Sequence, residues 1–255
     1  MSRKFVLILS LFVLFSCLLS IRFSLVEVKA PNGYPVHNLN TGLNYTTIQE
    51  AINAPETLAG HTIFVEEGTY YEHLVVNKSL SLIGEDRFST IIDGNYTGNV
   101  TIITSNNVKI TGFTIQRSGE VFTIDNRSHG ICFQWGISGC NVSYNILTDN
   151  LNGIWLYNSN ANTIYGNNIT NNNIEGIVLD FSSNDNNIHG NTITNNHLGI
   201  GSWNSSTNNI YGNNITNNEG GVLLDYFSNN NSIYGNNITN NEEGIALEQS
   251  LGNCI

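Results

Sequence analysis

One decapeptide recurs five times in the second half of the chain: NVSYNILTDN at 141–150, TIYGNNITNN at 163–172, NIHGNTITNN at 187–196, NIYGNNITNN at 209–218 and SIYGNNITNN at 232–241. A glycine and a β-branched residue follow each copy, as Gly153-Ile154, Gly176-Ile177, Gly199-Ile200, Gly221-Val222 and Gly244-Ile245. The period of 22–24 residues is the length of one solenoid coil. Within a period the aliphatic positions alternate and are broken by Asn and Gly, which reads as three short strands and three turns. Ile164, Ile169, Ile177 and Leu179 are the inward set of one copy. Four buried aliphatics cannot offset the ordering of so many residues, so a lone unit does not fold. Stacked units do, each strand pairing with its counterpart in the next copy. The expected class is all-β, a single-stranded parallel β-helix.

The 44 asparagines then have a place. Asn145, Asn167, Asn191, Asn213 and Asn236 share one corner, where stacked amides can donate and accept along a column and so satisfy turn backbone. Asn also tolerates the left-handed conformation of sharp corners. No proline follows Pro55, as a continuous ladder requires. Many asparagines fall in N-x-S/T sequons, among them Asn44, Asn77, Asn95, Asn141, Asn168, Asn214 and Asn237, and these are read first as by-products of the repeat and second as glycan acceptors.

Three segments precede or make up the solenoid. Residues 1–30 carry Ser2-Arg3-Lys4, an apolar run over 5–19 and Val28-Lys29-Ala30, the pattern of a secretory signal peptide or an N-terminal anchor. Residues 31–60 are the cap: Thr47 to Glu50 forms a capping box, and Ile48, Ala51 and Ile52 lie on one face of a short helix that closes the end. Residues 61–255 are the β-helix. Asn253-Cys254-Ile255 repeats the opening Asn231-Ser232-Ile233, so the reading ends mid-rung, and self-association at that open end is expected.

Charge narrows the partners. Without residues 1–30 the chain keeps 5 cations and 19 anions, and no Lys or Arg follows Arg127. Nucleic acid is excluded as a partner on such a surface, because neutralising phosphates needs cations. Contact with a membrane is expected only through the N-terminal segment. A polysaccharide or cell-surface glycan remains, at a secreted, periplasmic or cell-surface location.

The string TIQEAIN at 47–53, the stretch TIFVEEGTYYEHLVVNKSLSLIGEDRFSTIIDG at 62–94 and the N-x-I-x-G-N-x-I copies together resemble the right-handed parallel β-helix proteins of the pectin-lyase-like superfamily. They are most similar to its NosD-like members, the carbohydrate-binding and sugar-hydrolase repeats. The resemblance covers 41–255 and implies a fold more than an activity. Pectate lyases of that superfamily use an arginine base, and the repeat half has none. Its polygalacturonase-like hydrolases carry Asp-Asp and Gly-His-Gly strings, and neither occurs; His189-Gly190 is a fragment of one. Copper finds no ligand set, with Met1 the single methionine and His189 and His197 isolated. No metal or other cofactor is expected; calcium could sit only on Asp- and Asn-rich turns that lack a D-x-D-x-D-G loop.

Chemistry must come from positions where the copies differ. Aligning the glycines puts Gln134, Tyr157, Asp180, Trp203, Asp225 and Glu248 in one outward column. Asp180, Asp225 and Glu248 are the weak catalytic candidates, at separations of one or two rungs that bracket glycosidase carboxylate pairs. Tyr157 and Trp203 are the candidates for stacking on sugar rings. A second outward column, Ser143, Tyr165, His189, Tyr211 and Tyr234, is read as structural stacking. The repeat is interrupted at 116–130, where Arg117, Glu120, Asp125, Arg127 and His129 fall in an inserted loop. Cys132 and Cys140 could close that insertion as a disulfide, leaving Cys254 over. The function expected is a non-catalytic carbohydrate-binding or structural surface module; the alternative is a polysaccharide-degrading hydrolase or lyase.

Overall fold

The computed structural model describes residues 33–119 and 128–255; the expectations for residues 1–30 and for Glu120, Asp125 and Arg127 lie outside them. Three walls run along the molecule, wall A with ten strands and walls B and C with eight each. One rung shows the plan. Thr163–Tyr165 lies in wall A, Asn168–Thr170 in wall B and Glu175–Asp180 in wall C. Each strand pairs in parallel with its equivalent one rung on, Ile164 with Ile188, Ile169 with Ile193 and Ile177 with Ile200. The chain is a parallel β-helix of eight rungs among the described residues. Ile164, Ile169, Ile177 and Leu179 are fully buried, so like aliphatics stack on like down the core.

The corners are held by side-chain ladders. At the A/B corner the expected column is formed: Asn167 Nδ2 donates to Asn191 Oδ1 at 3.0 Å and to the Val142 carbonyl at 2.9 Å, while the Asn167 amide donates to the same Asn191 oxygen at 3.0 Å. Two further asparagine ladders were not anticipated. Asn150, Asn172, Asn196, Asn218 and Asn241 line the B/C corner, and Asn162, Asn186, Asn208, Asn231 and Asn253 line the C/A corner. A serine ladder runs beside the last, each backbone amide donating to the next hydroxyl from Ser159 through Ser183, Ser205 and Ser228 to Ser250. Asn167, Asn172, Asn186 and Asn191 each spend both amide hydrogens and both lone pairs on the fold, which removes buried unpaired backbone from the corners.

The cap is formed by β1 (Val36–Asn38), which pairs antiparallel with β2 (Asn44–Tyr45) on one side and with the wall A strand Thr62–Val65 on the other, with α1 (Ile48–Asn53) beside them. Ile48, Ala51 and Ile52 are buried as expected. Thr47 accepts the Glu50 amide at 3.1 Å, but the capping differs in its second half. The Glu50 carboxylate bonds the Thr46 amide and hydroxyl, and Glu72 accepts the amides of Ile48 and Gln49 at 2.9 Å each.

The insertion falls between the wall B strand Thr114–Gln116 and the wall C strand His129–Phe133. Arg117 leaves it toward the body and pairs with buried Asp93 at 3.0 Å. The Cys132–Cys140 pairing is not formed; both thiols are free and buried. Cys140 belongs to the interior cluster and heads the C/A ladder, its amide donating to Asn162 Oδ1. Cys132 lies between inward Ile131 and Phe133 and so faces out of wall C. One thiol inside the wall and one outside cannot meet. Burial pushes the thiols up to about 12 for Cys132 and about 11 for Cys140.

Candidate functional site

Wall C strands alternate strictly. Ile177 and Leu179 join the core and Val178 does not, so by strand parity Val178, itself covered, and Asp180 face outward. Register pairs Tyr157 with Asp180 and Trp203 with Asp225, and the Glu248 amide donates to the Leu224 carbonyl. The candidate column is therefore one column on the outer face of wall C. At about 4.8 Å per rung, Asp225 and Glu248 stand one step apart and Asp180 and Asp225 two.

Two of the three acids have a local task. Asp180 accepts the Phe181 amide at 2.9 Å, and Asp225 accepts the Tyr226 amide at 2.6 Å. Each carboxylate holds a turn whose first residue is left-handed, Phe181 at φ 50° and Tyr226 at φ 47°. Glu248 is exposed on the surface. A groove of about 760 Å³ lies at the opposite edge of wall C, lined by Asp149, His197, Glu219 and Glu242 among asparagines. His197 and Glu219 pair there at 2.6 Å.

The aromatic residues gather differently from expectation. Tyr157 stands between Trp135, at 5.2 Å and 68°, and Phe181, at 4.8 Å and 71°. It also lies 4.9 Å from Trp155, which stacks on His129 at 4.5 Å. Tyr157 is thus a strut inside a cluster, and the exposed rings are its neighbours Trp135 and Phe181, at 63% and 50%. Trp203 folds its indole over Gly201, where any added Cβ would strike the ring. Trp135, Phe181 and Tyr226, one residue beyond the candidate column, were missed. Their signal is an aromatic placed directly after Gln134, Asp180 and Asp225.

The second column is a stack. Tyr165, His189, Tyr211 and Tyr234 lie 5.2, 4.8 and 5.2 Å apart with planes within 11°. Rings this close cover each other's faces and leave only edges to solvent, so the stack offers no interior platform to a sugar. Burial among the rings holds His189 below its ordinary value. Tyr144 replaces the corner glycine of later rungs, at φ 55°, and meets Tyr165 edge-on.

Chemically, wall C offers exposed aromatic faces beside carboxylates with no Lys or Arg in the repeat half. The pattern over residues 57–254 matches the family described as "Periplasmic copper-binding protein (NosD)". The chain belongs to the NosD family. It is 35% identical over 156 residues to a cell surface glycoprotein of Methanothermus fervidus, an alignment covering 61% of this chain and 23% of that protein. The chain thus spans about a quarter of the length of the curated relative it matches. A pectin methylesterase solved with a hexasaccharide superposes with a TM-score of 0.51 at 14% identity, covering 83% of this chain and 64% of that one. That likeness is one of fold.

The NosD description names copper, and the residues do not fit it. Copper is held by converging imidazoles, thiolates or thioethers. Among the described residues no three His, Cys, Asp or Glu side chains converge. Cys132 and Cys140 are buried thiols on opposite sides of a wall, and His189 is spent in the tyrosine stack.

Proposed function

We propose that this NosD-family chain is a non-catalytic, carbohydrate-binding module of a cell-surface solenoid. Its place outside the cytoplasm is supported by the periplasmic family description and by the surface glycoprotein among its relatives. The observation that carries the binding reading is the pairing of exposed aromatic rings with acids already engaged in turns. Asp180 and Asp225 cap their own corners, beside Phe181 and Tyr226 at 50% and 58% exposure. Sugar recognition uses such flat apolar faces with flanking acceptors. Hydrolysis asks instead for an acid and a base facing one bond across a site that excludes water, whereas Asp180 and Asp225 each accept the amide of their own turn.

The test is a glycan array and a reducing-end assay run on the same purified protein. Binding without product release, retained in Asp225→Ala, is the expected result. Release of reducing ends that Asp225→Ala abolishes would replace the module with a glycosidase.

A further inference from the structure

We propose that the corner after wall C is a binding ridge for a neutral, extended β-1,4-linked polysaccharide lying along the solenoid axis; the proposal rests on the module reading above and names its ligand. The corner residues in successive rungs are Trp135, Asn158, Phe181, Asn204, Tyr226 and Gln249. Aromatic and amide residues alternate strictly. Turn length alternates with them. Taking the C/A ladders as fixed points, the corner runs from Tyr157 to Ser159, Asp180 to Ser183, Trp203 to Ser205, Asp225 to Ser228 and Glu248 to Ser250. Asn162 Nδ2 bonds the Ile137 carbonyl as Asn186 Nδ2 bonds that of Ser159, so the corner from Gln134 to Ile137 is also of the longer kind. Every second rung is one residue longer at this corner, and the longer turns are those that carry an aromatic residue.

Contact with Tyr157 accounts for only part of Trp135 and Phe181, and backbone preference favours neither Phe181 nor Tyr226. Trp135, Phe181 and Tyr226 are 63%, 50% and 58% exposed. Phe181 and Tyr226 hold φ of 50° and 47°, a region where the intervening Asn158 and Asn204 are at ease and a bulky ring is an outlier. Strain of this kind in a rigid scaffold points to use.

The two-rung period defines the occupant. Rings two rungs apart recur at roughly 9–10 Å, the length of two sugars in a flat β-1,4-linked chain. In such a chain each sugar is turned over relative to the last, so one face returns every second residue, as the rings do. Tyr157 keeps Trp135 and Phe181 in place by contacting both. The flanking Asp180 and Asp225, and the absence of Lys or Arg after Arg127, select an uncharged chain over an anionic one.

Titration calorimetry on the purified protein tests this. The probes are β-1,4 hexasaccharides of glucose and N-acetylglucosamine, an α-1,4 glucose hexasaccharide and a galacturonate hexasaccharide. The variants are Trp135→Asn, Phe181→Asn and Tyr226→Asn, singly and together, since Asn is the residue of the intervening corners and keeps the turn. The expected result is preference for a β-1,4 probe, a loss on the order of tenfold for each single variant, loss of binding in the triple variant, and unchanged thermal midpoints. Glycan binding that survives in a folded triple variant overturns the ridge and leaves the module. Preference for the α-1,4 or anionic probe overturns the assigned ligand. No binding to any glycan overturns both proposals.

Discussion

Asn191→Ala is the sharpest perturbation of the corner ladders. Asn191 Oδ1 accepts from the Asn167 amide and from Asn167 Nδ2, both at 3.0 Å, and its Nδ2 donates to the Ile164 carbonyl at 2.9 Å and Asn213 Oδ1 at 3.0 Å. Alanine removes all four bonds at a site 1% exposed. At about 1 kcal/mol net per bond, with further cost for the stranded Asn167 N–H and Ile164 C=O, the loss should be about 4 kcal/mol or more. Asn173→Ala is the control, because Asn173 is exposed and should change stability by no more than about 0.5 kcal/mol. Urea unfolding measures both, with the slope checked because solenoids can unfold in blocks. Amide exchange over 163–216 shows whether the weakening is local. A cost under about 1 kcal/mol for Asn191→Ala, or one equal to the control, would refute the account of the ladders.

Three other outcomes follow from the geometry. A Cβ on Gly199 would lie 2.6 Å from the Gly221 carbonyl, whereas one on Gly244 meets nothing within 4 Å. Gly199→Ala should therefore cost about 1–3 kcal/mol and Gly244→Ala close to nothing, read by thermal unfolding. Cys254 should react quickly with a thiol reagent at neutral pH, while Cys132 and Cys140 react only after denaturation. His189 has a lowered pKa, so its share of stability is complete above the unfolded value of 6.5 and falls as pH drops from there toward the folded value. His189→Tyr should flatten that slope in the thermal midpoint; an unchanged slope would contradict it.

The fold was legible because its rules repeat. Ile and Gly return at fixed offsets, and Asn145 and its equivalents come directly after Tyr144 or a corner glycine, which marks them as a column. The other two asparagine ladders were hidden in runs such as Asn171-Asn172-Asn173, where nothing in the sequence says which amide turns inward. The serine ladder was masked by the alternating turn length, which breaks the register from Ser159 to Ser183 to Ser205. The aromatic site was missed by one residue. Tyr157 and Trp203 are outward by alternation, yet neighbours press on one and the other lies flat on Gly201. The rings that reach solvent sit on the turn, where alternation no longer governs direction. Cys132 and Cys140 are close in sequence, but strand parity separates them across the wall.

The claim that this chain holds a glycan without cutting it can be tested in one measurement. The purified protein is mixed with an insoluble β-1,4 polysaccharide, and bound protein and soluble reducing ends are followed in the same tubes over time. The account predicts saturable binding, lost on combined substitution of Trp135, Phe181 and Tyr226, with reducing ends at the level of the protein-free control. Reducing ends that rise in proportion to bound protein would contradict it.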